Sequence, residues 1–413
     1  MPFQTLSQRL GIAFVVFSAI ALADPGARAI SPASAPDETA EMTPETEILA
    51  AQGDQLSAYV ESYAELVYQT YSSSKTDAVM MQGAIADFLA EPSAETHQAA
   101  KAAWTEARQS YLQTEAFRFY EGPIDFVDLE TGEEGPEGRI NAWPMNEAFI
   151  DYVQGKADSG IINDHSFDIS IAAILENDQV SDEADVTTGW HAIEFLLWGQ
   201  DFNAKGPGER SFEDFVAGVG NNDRRRAYLA LVTDQLVEDL TFLETAWQPD
   251  GDNYRAEFVA QPPAEAVSKI LTSLATLSAF EMASERMAVS LDSGDQEDEH
   301  SCFSDTTHQD FVFNSAGIRN VYFADYADYQ GTGLDELLGN IAPELNQQMI
   351  AALDQTQTTI GQISEPFDQV LASAPGSDER AVVESAITAL EDQADLILEV
   401  GSALGVEAEI LAE

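Results

Sequence analysis

Apolar residues recur at three- and four-residue steps along almost the whole of this chain, and no stretch alternates apolar with polar over strand length. From Glu45 to Thr70 the series is Leu49, Leu56, Tyr59, Val60, Tyr63, Leu66 and Val67, which is one face of an α-helix. A second helix is predicted from Ala94 to Tyr120, closed by Gly122-Pro123, and further long helices over 222–247 and 263–291. Pro144 is placed to open a short helix, Ser211-Phe212-Glu213-Asp214 has the form of a capping box, and Pro343 and Ser377 mark two C-terminal helix starts. Residues 128–142 are rich in glycine and acid and read as loop. The predicted fold class is all-α. A chain of 413 residues is long for one core, so two helical-bundle domains are expected, 46–250 and 260–413, parted within 248–263.

Charge excludes several partners. There are 73 Asp and Glu against 18 Lys and Arg, a formal charge of −55, and five of the bases are lysine. Such a surface repels nucleic acid and anionic lipid. A salty environment, where an acidic coat is screened and keeps the protein soluble, accounts for it without a binding role.

The first residues have the layout of a secretion signal. Met1–Arg9 is short with one base, and Leu10–Ala23 is an apolar run too short to span a membrane as a helix. Ala27-Arg28-Ala29 fits the small-x-small cleavage pattern, giving a signal peptide over 1–29, with a cut after Ala23 as the alternative. Residues 30–45, rich in Pro, Ser, Ala and acid, read as a flexible leader. No later segment is long and apolar enough to be a transmembrane helix. The expected location is the periplasm, with or without attachment to the outer membrane. Cys302 is the sole cysteine, so no intramolecular disulfide forms, and a lone cysteine reads first as a small buried hydrophobe.

Chemistry concentrates in three segments. In Gly189-Trp190-His191-Ala192-Ile193-Glu194 an imidazole and a carboxylate stand three residues apart in apolar surroundings. At helical spacing they share a face, about 4.5 Å apart along the axis, and both are donors to borderline or hard metal ions. The plain alternative is a core histidine bonded to Glu194. A second segment, 292–310, holds His300, His308, Cys302 and seven carboxylates in nineteen residues. It is too long to cap a helix and reads as an ordered, packed loop, with His300, Asp305 and His308 as candidate ligands. In the third, Thr114–Asp125, Glu115 and Arg118 share a helix side. They read first as an ion pair, as do Glu281, Glu285 and Arg286. The metal-site expectation joins His191 and Glu194 to Glu115 or Glu281 and to His300, Asp305 or His308. A further possibility is an organic ligand such as a siderophore, haem or an acidic sugar, with Trp143, Trp190 and Trp198 as walls and Arg118 beside them.

Together these segments resemble the imelysin family, also called peptidase M75, which includes the iron-regulated protein A group. Gly189-Trp190-His191-Ala192-Ile193-Glu194 matches the family's GxHxxE signature. Phe195–Asp201, Thr114–Asp125 and Asp292–His308, with its Glu299-His300-Ser301-Cys302-Phe303-Ser304-Asp305 core, are similar as well, and the likeness spans roughly residues 45–410. The resemblance implies an exported bacterial protein of two helical domains related by duplication, with the signature near their interface, linked to iron uptake. It implies binding of a metal ion or metal chelate, iron first and zinc second, and other iron-uptake components of the cell envelope as partners. Some members are named as insulin-cleaving metallopeptidases, which is the alternative function. Against that alternative, HExxH and its inverse HxxEH each place two ligands and a base on one helix. Here Phe195 follows Glu194, so neither motif is complete. From the residues alone, the only internal echo is a faint one between Glu115–Phe119 and Glu281–Met287.

Overall fold

The computed structural model describes residues 44–203 and 205–412, with side chains from 53 onward. The signal and leader expected over 1–45 lie almost wholly outside the described residues. The fold is all-α, as expected: beyond helices and turns there are two short antiparallel ribbons, Val127–Asp128 with Glu133–Glu134 and Asp325–Tyr326 with Tyr329–Gln330, and an isolated bridge between Val153 and Lys156. Among the described residues no helix is long and apolar enough to cross a membrane.

The first helix, Pro44–Ala90, runs twenty residues beyond the predicted end, because Tyr71, Ala78, Met81, Ile85 and Phe88 continue its buried stripe. The second, Ala94–Leu112, starts at a capping box in which the Ser93 hydroxyl accepts from Thr96 N and Thr96 Oγ1 accepts from Ser93 N. It tightens to a 3₁₀ turn over Gln113–Phe117, short of the predicted Tyr120. Pro343 and Ser377 do open helices, Pro343–Ile360 and Asp378–Leu404.

Other punctuation acts differently from its sequence reading. Pro144 lies in a turn after a cis peptide, and the short helix begins at Glu147. Ser211 caps only a 3₁₀ turn, Phe212–Phe215, by accepting from Glu213 N. The 128–142 loop ends in a helical turn, Glu137–Asn141. The predicted 263–291 helix is continuous but changes type: α-helical over Pro263–Thr276, it widens to a π-helix over Leu277–Ala288 and closes as α-helix over Val289–Ser293.

Residues Ile48–Glu413 pack as one unit. The stretch holding the expected 250–260 boundary carries the short helix Tyr254–Ala260, whose Phe258 packs on Tyr63 and Trp247. The motif helix, Gly189–Trp198, is buried along its whole length. It lies against Ala94–Leu112, Glu137–Asn141 and Asn222–Ala246. Trp104 stands at its centre, edge-on to both Trp190 and Trp198 and donating from Nε1 to the Trp190 carbonyl at 3.1 Å.

The first residue of this helix explains the glycine in the motif. Gly189 has φ +84°, and a Cβ there would lie 2.4 Å from the Ile140 carbonyl oxygen. Left-handed backbone already disfavours an L-residue by about 1–2 kcal/mol, and the rigid carbonyl adds to it. Gly189→Ala is therefore expected to destabilise the protein by about 2 kcal/mol or more. Urea denaturation checks this, and an unchanged midpoint would contradict it.

Candidate functional site

His191 and Glu194 face inward together, and both are essentially without solvent exposure. His191 Nδ1 lies 2.9 Å from Glu194 Oε2. The other carboxylate oxygen, Oε1, accepts from the backbone N of Ser304 at 2.9 Å and from its hydroxyl at 2.6 Å. One side chain thus fastens the motif helix to the 299–306 loop. Burial pushes the Glu194 carboxyl up to about 8, with the Ser304 donors and Arg108 pulling it down.

Arg108, from the second helix, stands between two imidazoles. Its Nη2 is 3.5 Å from His191 Nε2 and 3.4 Å from His300 Nδ1, and its Nη1 donates to Asn141 Oδ1 at 2.7 Å. The two imidazole rings approach edge-to-face at 4.8 Å. His300 Nδ1 is 2.7 Å from Asp310 Oδ2, which also accepts from the Ser301 hydroxyl at 2.6 Å. Burial, followed by the charges of Arg286 and Arg108, holds His300 well below its ordinary value, so the ring is neutral near pH 7. Its Nδ1 proton then points at Asp310, which leaves Nε2 as a free lone pair.

That lone pair belongs to a ring lining a cavity of about 680 Å³. Trp143, Phe280, Arg118, Arg286, Glu281 and Glu285 line it with His300, and Glu137, Asp182 and Glu183 add further carboxylates. Trp143 stands edge-on to His300 at 5.8 Å.

Behind the wall lies an ion network. Glu115 Oε2 accepts from Arg118 Nη1 at 2.8 Å and from Arg286 Nη2 at 2.7 Å. The same Arg286 nitrogen donates to Glu281 Oε1 at 2.7 Å, and Arg118 Nη2 reaches Glu137 Oε1 at 3.1 Å. Arg286 Nη1 donates to Asn314 Oδ1 at 2.7 Å. The two segments that echo each other in sequence meet here.

The candidate residues therefore separate. His300, Glu281, Arg118 and Trp143 line the cavity. His191 and Glu194 stand behind it, and Glu115 is fully buried and held by two arginines. Trp190 and Trp198 are core side chains around Trp104 and do not line the cavity. Asp305 lies with Asp201 and Asp368 instead, and His308 pairs with Glu365 at 3.3 Å. Cys302 is buried, which raises its thiol pKa well above the ordinary value.

Sequence reasoning missed Arg108, Asn141, Ser304, Asp310 and Asn314. Arg108 sits in an otherwise ordinary helix. Its one signal is an arginine on the stripe of Ala100, Trp104, Ala107 and Tyr111, where the periodicity requires an apolar residue.

Burial pushes the Glu115 carboxyl up, but Arg118 and Arg286 outweigh it and hold it at about 2, below the ordinary 4.5. A depressed folded-state value stabilises the protein at pH above about 4.5, and that contribution, about 3 kcal/mol, is lost as pH falls toward 2. Arg286→Met is expected to destabilise by about 3–5 kcal/mol at pH 7, since it removes one partner of a buried pair. Acid unfolding should also move to higher pH. Urea midpoints measured from pH 7 to 3 test this, and a variant with the wild-type pH profile would remove Arg286 from the account.

Comparison with known proteins places this geometry in context. The family model for imelysin, peptidase M75, matches residues 67–397. Iron-regulated protein A of Synechococcus elongatus is 25% identical over 338 residues, covering 79% of this chain and 81% of that protein. Among solved structures, a Parabacteroides distasonis protein described as an iron-regulated protein A precursor superposes with a TM-score of 0.67 at 20% identity, covering 85% of this chain and 95% of that one. An imelysin-like protein from Psychrobacter arcticum gives 0.59 at 15% identity, covering 86% and 97%.

Proposed function

Because this chain belongs to the imelysin family, we propose that the cavity beside its GxHxxE motif binds iron carried in an organic chelate. The observation that carries the reading is His300: a neutral imidazole lining the cavity, with Nδ1 on buried Asp310 and Nε2 uncommitted. A metal-binding histidine ordinarily has such a carboxylate on its other nitrogen, which fixes the tautomer and raises the basicity of the ligating atom. The name of the Synechococcus relative, iron-regulated protein A, supports iron as the cargo, with zinc the second candidate.

The size and charge of the cavity favour a chelate over a bare ion. A volume near 680 Å³ is in the range that takes an organic ligand of moderate size. Its lining mixes the guanidinium groups of Arg118 and Arg286 with carboxylates such as Glu281 and Glu285. The arginines suit the chelate's carboxylates or hydroxamates, and His300 and the acidic side chains suit the metal. His191 and Glu194 act through others, as positioning residues: Glu194 holds Ser304 of the loop, and His191 and His300 flank Arg108.

Peptidase chemistry fits less well. It needs about three protein ligands, an open position for water and a general base. His191 Nε2 faces a guanidinium, and Glu194 Oε1 is taken by two Ser304 donors. The export expected from the sequence agrees with the iron reading. The signal-like 1–29 segment would place the protein in the periplasm, among the other iron-uptake components of the cell envelope. In this reading 46–250 and 260–413 are the two bundles, and both contribute to the site.

Titration of the protein with ferric citrate, followed by calorimetry and iron analysis, tests the proposal. His300→Ala is expected to abolish saturable binding. Asp310→Asn should weaken it about 10–100-fold, the usual effect of losing such a supporting carboxylate. Equal affinity and stoichiometry in wild type and His300→Ala would overturn it.

A further inference from the structure

A second group of side chains lies apart from the cavity, and none of its members lines it. Asp201 follows the C-terminal end of the motif helix, Asp305 ends the 299–305 segment at φ +57°, and Asp368 begins the short helix Asp368–Leu371. Carboxylate oxygens of these three residues lie within 4.8 Å of one another, and all three side chains are buried. Glu299, with no exposure at all, adjoins Asp368.

Their hydrogen bonding is what sets them apart from an ordinary acidic patch. Both oxygens of Glu299, Asp305 and Asp368 are buried without a hydrogen bond of good geometry, with the Thr307 hydroxyl near Glu299. Asp201 is served by Asn203 N at 2.8 Å and by the Gln296 side-chain amide. Among the described residues no lysine or arginine forms an ion pair with any of the four. Elsewhere buried carboxylates face basic groups: Asp310 leaves one oxygen without a hydrogen bond, but Arg108 lies 3.6 Å from it. Asp151, for example, takes Arg210, Arg225 and a backbone N–H. Carboxylates buried together with so few donors are costly unless a proton or a cation neutralises them.

We propose that Asp201, Glu299, Asp305 and Asp368 form a calcium site that ties the end of the motif helix, the 299–305 segment and the turn at 368 into one rigid unit. The donors are all oxygen, which selects a hard cation over iron or zinc. Oxygens bound to one calcium ion, each about 2.4 Å from it, stand at most about 4.8 Å apart, and the three aspartate oxygens lie within that bound. Several carboxylates from distant segments, free to bind through one or both oxygens, meet calcium's demand for six to eight flexible ligands. Magnesium requires near-ideal octahedral geometry and retains waters. Burial and mutual repulsion, which push Asp305 up to about 8 and Asp201 to about 6, describe the same excess of negative charge. The site reaches the cavity through the backbone, since the segment it anchors carries His300 and Ser304.

The test uses the full protein, stripped with EGTA and dialysed into 150 mM NaCl to screen weak surface binding. Calorimetry with calcium chloride should give one saturable site. The melting temperature should rise with calcium as mass action requires, and far less with magnesium. Asp305→Asn and Asp368→Asn should each weaken calcium binding about tenfold or more. In calcium-free buffer Asp368→Asn should melt no lower than wild type, because it relieves repulsion; a purely structural role predicts a lower melting temperature with and without calcium. His300→Ala should leave calcium binding intact, so failure here and failure of the chelate reading are separable. A stripped wild type whose melting temperature ignores calcium, or Asn variants that bind it as tightly, would overturn the proposal.

Discussion

Glu194 is the carboxylate on which the arrangement turns. It sits without exposure on a helix that is itself buried, and its two oxygens face different ways, one to His191 and one to Ser304. A buried acid in this position is costly unless every lone pair is satisfied, so it strongly disfavours alternative placements of the 299–306 loop. That loop carries His300 and leads into the helix Thr307–Phe323, which supplies Asp310 and Asn314. The position of the cavity-lining imidazole thus follows from a contact between residues 110 apart in sequence.

Around that link the protein uses arginines as internal struts. Arg108, Arg118, Arg210, Arg225 and Arg286 are all buried. Arg108, Arg210, Arg225 and Arg286 lie within 4 Å of a buried Glu or Asp, and Arg118 also reaches one, Glu115. A planar guanidinium presents five donors in a rigid fork and can hold acceptors on several sides at once, where lysine has three donors on a single nitrogen. With so few basic residues in the chain, drawing five inward leaves the exterior more one-sidedly acidic than the composition alone suggests.

The helices were legible where local chemistry decides them. Ser93, Pro343 and Ser377 act as starts because their side chains or fixed φ satisfy or remove orphan N–H groups, whatever the tertiary context. The inward placement of His191 and Glu194 was legible too, since apolar neighbours on all sides leave a helix no solvated face. The partners were not. Asp310 and Ser304 look like ordinary surface residues until the chain is folded, Arg108 shows only its place on an apolar stripe, and which carboxylate meets which base depends on packing between distant segments. Asp305 illustrates this: its proximity to His300 in sequence suggested a shared site, yet a left-handed residue at the loop's end turns it toward Asp201 and Asp368.

The π-helical stretch carries a consequence for chain length. Glu281 and Arg286 are five residues apart, and in an α-helix they would point about 140° away from each other. The wider i→i+5 winding brings them within 2.7 Å. Deleting one residue between Leu277 and Ala288 would let the segment relax toward ordinary winding, which parts the side chains that the wide turns bring together and dismantles the cluster at Glu115. Insertions and deletions should thus be far better tolerated in the 128–142 turns than in this unbroken helix.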